Sequence, residues 1–219
     1  MSIALSIGNN LTTNGVFTSS AVNNTSVNNV TDFASVPGGA VLKLLSTQTA
    51  SASATLSFTS GIDDTYDSYV FKFYDIHPAT QNTNFQFQVD TGTNTNYNQT
   101  ITSTSFRAYH FEGDLSAVLE YLTAHDQAQG TSFQNLNYIG NDNDMCAVGE
   151  LKIFNPSSTT FVKHFVARSQ FYGDGGGQDL SEDWFTAGYV NTTTAITRFQ
   201  FKMSSGNIDS GIIKMYGVV

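Results

Sequence analysis

Between Ser68 and Asp90 the chain reads Ser-Tyr-Val-Phe-Lys-Phe-Tyr-Asp-Ile-His-Pro-Ala-Thr-Gln-Asn-Thr-Asn-Phe-Gln-Phe-Gln-Val-Asp, and no other stretch limits the possible folds so strongly. Phe85, Phe87 and Val89 alternate strictly with Gln86, Gln88 and Asp90, and Tyr69, Phe71 and Phe73 recur at every second place before them. Side chains two apart share one face of a strand, whereas a helix would scatter them around its circumference. The proline at 78 removes a backbone donor, and the small polar residues after it favour a turn. Two strands joined by a loop are expected, as in an antiparallel sheet that covers a core on one side. The aromatic faces would be core, and Lys72, Gln86 and Gln88 would face water or a subunit.

The same pattern continues along the chain. Ala40–Thr47 and Ala52–Phe58 read as strands, and so does Thr100–Phe111, with Ile101, Phe106, Ala108 and Tyr109 as core candidates. Ala147–Asn155 and Thr160–Gln170 read as a second hairpin, expected to lie as the layer opposing the first. Trp184–Asn191, Ile196–Ser204 and Gly211–Val219 complete the set, and Phe171–Asp183, with its Gly175-Gly176-Gly177, reads as a flexible loop. Leu115, Val118, Leu119 and Leu122, spaced three, one and three and preceded by Asp114 as N-cap, predict one short helix. About nine or ten strands with frequent turn signals predict an all-β, jelly-roll-like, two-sheet antiparallel sandwich.

Residues 1–38 differ. Ser, Thr and Asn dominate, and single apolar residues from Ile3 to Val36 are spaced too widely for a helical stripe. Such a segment cannot offset its ordering entropy alone, which predicts an extended N-terminal arm docked on a neighbouring subunit, with a loosely attached terminus as the alternative. Pro37-Gly38-Gly39 then opens a compact domain over 39–219.

Only 12% of the 219 residues are charged and the formal net charge is −9. Nine Lys and Arg spread over the whole chain argue against a nucleic-acid partner, which needs a basic stripe. The single cysteine, Cys146, excludes an intramolecular disulfide and a cysteine-based zinc cluster. Neither a secretory signal nor a membrane-spanning run is expected.

Chemistry is sparse. His77, His110, His125 and His164 form no pair at metal-ligand spacing. No Gly-x-Ser-x-Gly is present, and the glycine triplet lacks the Lys-Ser or Lys-Thr of a phosphate loop. Glu112 with Asp114, or Glu182 with Asp183, would serve a glycosidase only with partners across a cleft. Gly61–Asp67 and Asn141–Asp144 offer oxygen ligands for calcium, but both read better as turns. Trp184, Tyr189 and Tyr172 are candidates for a sugar-stacking surface, with core or subunit contact as the alternative. No catalytic, cofactor-binding or metal-ligating residue is assigned, no cofactor is expected, and the chain reads as a non-enzyme.

The run Ser60-Gly61-Ile62-Asp63-Asp64-Thr65-Tyr66-Asp67-Ser68-Tyr69, followed by Phe71-Lys72-Phe73, Ile76-His77-Pro78-Ala79-Thr80 and Phe85-Gln86-Phe87-Gln88, resembles a pattern of structural proteins of tailed bacteriophages, particularly marine ones. The ending Phe201-Lys202-Met203-Ser204-Ser205-Gly206 with Gly211-Ile212-Ile213-Lys214-Met215-Tyr216-Gly217 is similar to their closing strands. The resemblance covers residues 50–219 and specifies turns and strands, not a site. It implies virion location and a β-sandwich; with the arm, the low charge and the sparse chemistry, the expectation is a protein on the virion exterior acting as a capsid decoration (cement) or fibre protein. The partners expected are other virion proteins, either the major capsid protein or tail and fibre subunits, and further copies of the chain in a homotrimer. The alternative expectation is a receptor- or glycan-binding module of a tail fibre that meets a host surface glycan.

Overall fold

The computed structural model describes Thr12–Thr13, Val16–Phe17, residues 41–174 and residues 178–219. The chain divides into two compact units, 1–41 and 42–219. Strands β1 (Thr12–Thr13) and β2 (Val16–Phe17) pair antiparallel in the first; the rest of the expected arm lies outside the described residues.

The second unit is built from twelve strands: β3 (Leu42–Ser53), β4 (Leu56–Phe58), β5 (Ser68–Pro78), β6 (Thr83–Thr91), β7 (Ile101–Phe111), β8 (Ala117–Tyr121), β9 (Gln134–Ile139), β10 (Ala147–Phe154), β11 (Lys163–Asp174), β12 (Asp179–Val190), β13 (Ile196–Met203) and β14 (Ile208–Val218). They form an eight-stranded sheet, β3-β14-β5-β10-β11-β12-β7-β8, and a four-stranded sheet, β4-β13-β6-β9. All pairings are antiparallel. With β7–β8 and β11–β12 set aside, the chain changes sheet at every connection except that from β6 to β9, and β3-β14-β5-β10 opposes β4-β13-β6-β9. That is a jelly roll, as the sequence predicts. The two remaining hairpins are insertions, and both join the β10 side of one sheet.

Aromatic alternation locks the sheets together. Tyr69, Phe71 and Phe73 of β5 meet Phe85 and Phe87 of β6 and Phe199 and Phe201 of β13, all essentially buried. The Phe71 ring centroid lies 4.5 Å from that of Phe199 and 5.4 Å from that of Phe201, and Phe73 meets Phe85 edge-on at 5.2 Å. Each such ring contributes about 1.5–3 kcal/mol through burial.

Several sequence expectations are corrected. β5 and β6 are not a hairpin but lie in different sheets, and the β10–β11 hairpin extends the sheet of β5 instead of opposing it: Leu151 pairs with Phe71 on one side and Ala167 on the other. The expected helix at Leu115–Leu122 is strand β8, paired with β7 from Phe106↔Tyr121 to His110↔Ala117. Asp114 has φ 56°, the left-handed conformation of a tight turn and not the extended one of an N-cap, and its N–H donates to Phe111 O at 3.0 Å. Phe106 and Ala108 point away from the core, because Ile101, Ser103, Ser105, Arg107 and Tyr109 hold the inward phase of β7. Gln88 is not surface: it is fully buried, its amide donating to Gln99 O at 2.9 Å and Ser132 O at 3.1 Å. Strands also reach further than expected, since β11 and β12 pair out to Asp174↔Asp179; residues 175–177 lie outside the described residues.

Candidate functional site

The insertions make the large sheet wider than the small one. Edge strand β9 lies against β11 and β12, so β7 and β8 project beyond it. The connection from β8 to β9 closes part of the exposed inner face: Gln127 N–H donates to Ser103 Oγ at 2.9 Å, and Ile101 bridges Gly130. The rest of that face opens into a cleft of about 220 Å³.

Alternation puts a charged pair on its floor. Arg107 sits in phase with Ile101 and Tyr109, and Glu182 in phase with Leu180 and Trp184, so both point inward from neighbouring strands. Arg107 Nη1 donates to Glu182 Oε1 at 2.8 Å, Nη2 meets Glu120 Oε1 at 2.6 Å, and Nε donates to the same atom at 2.7 Å. Glu182 is only 4% exposed. Its Oε1 also accepts from Trp184 Nε1–H, so among the described residues Oε2 takes no bond. Tyr109, Phe111 and Tyr138 form the walls, with Phe171, Leu180, Asn82, Gly140 and Gly173 around them, and the guanidinium carbon lies 4.9 Å from the Tyr109 ring centroid.

Behind the pair stands His125. Its ring packs edge-on to Trp184 at 4.7 Å, and Asn135 Nδ2 and its Nδ1 are 2.9 Å apart. Burial, then the charge of Arg107, pull its pKa down, so the neutral imidazole accepts from the Asn135 amide. Asn137 on β9 is fully buried, and among the described residues neither side-chain polar atom has a partner.

Around Tyr172, at the hairpin end of β11 and β12, is an acidic rim. Glu112 N–H donates to Asp179 O at 2.9 Å. A hydrogen bond to Asp179, together with burial and the charges of Asp179, Asp144 and Glu112, pushes the Tyr172 pKa up to about 12.

The outward face of the large sheet is a second feature. Register sets Lys214, Lys72, Glu150 and Arg168 side by side, and the row continues through Phe185, Phe106 and Tyr121. Arg168 joins the two halves, gripping Asp183 through Nη2 at 2.6 Å and lying 5.1 Å over Phe185, which stacks on Phe106 at 4.9 Å. Leu119, 72% exposed, and Val166 are also exposed on this face.

No family model and no curated protein matches the chain.

The structure places the sequence candidates apart. His77 Nδ1 meets Met145 O at 2.7 Å and His110 Nε2 meets Asp114 at 3.0 Å, while His164 packs near Tyr189. Trp184 is 1% exposed and forms no sugar platform; Tyr172 and Tyr189 lie on the opposite face of the sheet. Glu182 and Asp183 point to opposite faces and cannot act as a pair. Gly61–Asp67 and Asn141–Asp144 form turns, Thr65 N–H donating to Asp63 Oδ1 at 2.9 Å and Asn141 Nδ2 to Ala79 O at 3.3 Å. Among the described residues, no group of three or more His, Cys, Asp or Glu is placed to hold a metal ion. The Arg107–Glu182 pair was not singled out from sequence. Its signal is two opposite charges at core-phase positions of two strands.

Proposed function

We propose that the chain is a non-enzymatic structural protein of a bacteriophage particle. It sits on the particle exterior as a capsid decoration or fibre subunit, held there by residues 1–38 and packed against further copies of itself in a trimer. The virion assignment rests on the sequence resemblance. Packing between copies rests on one observation, the row across the outward face of the large sheet. A monomer that kept this face in water would expose Phe106, Tyr121, Leu119 and Val166 together, an arrangement that marks interaction surfaces.

Charge complementarity supports a second copy as the occupant. Lys214, Lys72, Lys152 and Arg168, against Glu150 and Asp183, make the part of the face around Lys72 net positive on a chain of net −9. The rim around Tyr172, with Glu112, Asp144 and Asp179, carries the opposite sign. Patch against rim is a head-to-tail contact between unlike surfaces, which gives a ring such as a trimer where the rotation between copies closes. Light scattering of the purified chain tests this. The expected result is a trimer at low salt, lost in the double variant Arg168→Glu, Lys214→Glu. A wild-type monomer at every salt concentration would overturn packing between copies.

A receptor- or glycan-binding role in a tail fibre is the second reading, favoured by the aromatic walls of the cleft.

A further inference from the structure

We propose that the cleft between β7, β12 and β9 binds one neutral sugar ring, with Arg107 and Glu182 reading adjacent hydroxyls and the Tyr109 and Tyr138 rings packing on its C–H face. This deepens the glycan-binding reading and is independent of the docking face, so either can fail alone.

The floor has unused bonding capacity of both signs. A guanidinium carries five N–H donors, and Arg107 commits Nε, Nη1 and Nη2 once each to Glu120 and Glu182. Glu182 Oε2 is an acceptor without a bond among the described residues, on a residue 4% exposed. A donor and an acceptor side by side match a pair of neighbouring hydroxyls, one donating to the carboxylate and the other accepting from the guanidinium. In a site sheltered from water these bonds are charge-assisted and stronger than neutral ones.

The walls suit the other side of a pyranose. Tyr138 is 39% exposed, and Tyr109 and Phe111, 5.6 Å apart and edge to face, leave ring surface open to the cleft. A volume of about 220 Å³ lies below the roughly 300–1,000 Å³ of pockets that enclose drug-sized ligands, which fits a single ring with the rest of a glycan outside.

Charge excludes the alternatives. Arg107 is outnumbered by Glu120 and Glu182, so phosphate, sulfate and acidic sugars are repelled. A cation approaching Glu182 meets the guanidinium.

The chain contains one tryptophan, and its indole N–H donates to Glu182 Oε1. The indole cross-peak in a ¹H–¹⁵N spectrum is therefore a single reporter on the cleft floor. Titration with the methyl glycosides of glucose, galactose, mannose and N-acetylglucosamine should move it saturably for at least one. Tyr138→Ala, a change at an exposed ring, should weaken that binding about tenfold or more while leaving the rest of the spectrum in place. A peak that moves only with inorganic phosphate, glucuronate or glucosamine overturns the neutral-sugar assignment. So does a peak that no glycoside moves, or a shift that Tyr138→Ala leaves intact.

Discussion

Replacing Arg107 by Met removes the guanidinium beside Glu182 while keeping an unbranched apolar stem next to Tyr109. Among the described residues, Glu182 is then a carboxylate held by the Trp184 N–H alone, 4% exposed. Breaking a buried ion pair from one side costs about 3–5 kcal/mol. The lower end applies here, because the Arg107 side chain is 28% exposed and its second partner, Glu120, is 40% exposed, so part of the interaction is already screened by water. The expected loss is about 3 kcal/mol, equivalent to a fall in Tm of about 6–12 °C for a domain of this size. Glu182→Gln keeps an acceptor for Trp184 and leaves Arg107 paired with Glu120, and should cost about 1 kcal/mol. The double variant should be less unstable than the sum of the singles by about 2 kcal/mol, since neither charge is then stranded. Urea denaturation at pH 7, followed by the fluorescence of buried Trp184, measures all three. A single Arg107→Met variant within about 0.5 kcal/mol of wild type, or strictly additive changes, would refute the claim that Glu182 depends on this guanidinium.

Two further outcomes follow from the packing. His125 has its pKa lowered by burial and by Arg107, so the unfolded chain binds more protons than the folded one between the folded value and the ordinary 6.5. The stability it contributes is complete above about pH 6.5 and is lost as the pH falls through the folded value; His125→Gln should flatten that part of a Tm-against-pH curve, and an unchanged curve would refute the assignment. Phe201 meets Phe58, Phe71, Phe73 and Phe85 at ring separations of 6.1, 5.4, 5.4 and 5.8 Å; Phe201→Ala should cost about 3–5 kcal/mol in urea denaturation, and a loss below about 1 kcal/mol would contradict a core centred on it.

Alternation gave away the strands because their two faces meet such different surroundings. Phe85, Phe87 and Val89 are all fully buried, β13 falls where the sequence places it, and β14 begins three residues earlier. What alternation does not encode is the partner of each strand. In a jelly roll most connections cross between sheets, so β5 and β6, close in sequence and similar in pattern, resemble a hairpin without being one. β8 misled for another reason: as an edge strand it can leave Leu119 exposed, and the leucine spacing then resembles a helix. The cleft was hidden because it depends on phase. Phe106 and Ala108 are the more apolar residues of β7 near Arg107, yet the inward phase belongs to Ser103, Ser105, Arg107 and Tyr109, and only the pairing of β7 with β12 reveals that Glu182 answers the arginine.

The central claim is that the outward face of the large sheet is covered by another copy of the chain on a phage particle. Electron cryo-microscopy of particles that carry the chain tests it most directly. The account predicts three copies on the particle exterior, with the row from Lys214 to Tyr121 of each packed against the acidic rim of the next. Copies standing singly, with that row facing solvent, would contradict it.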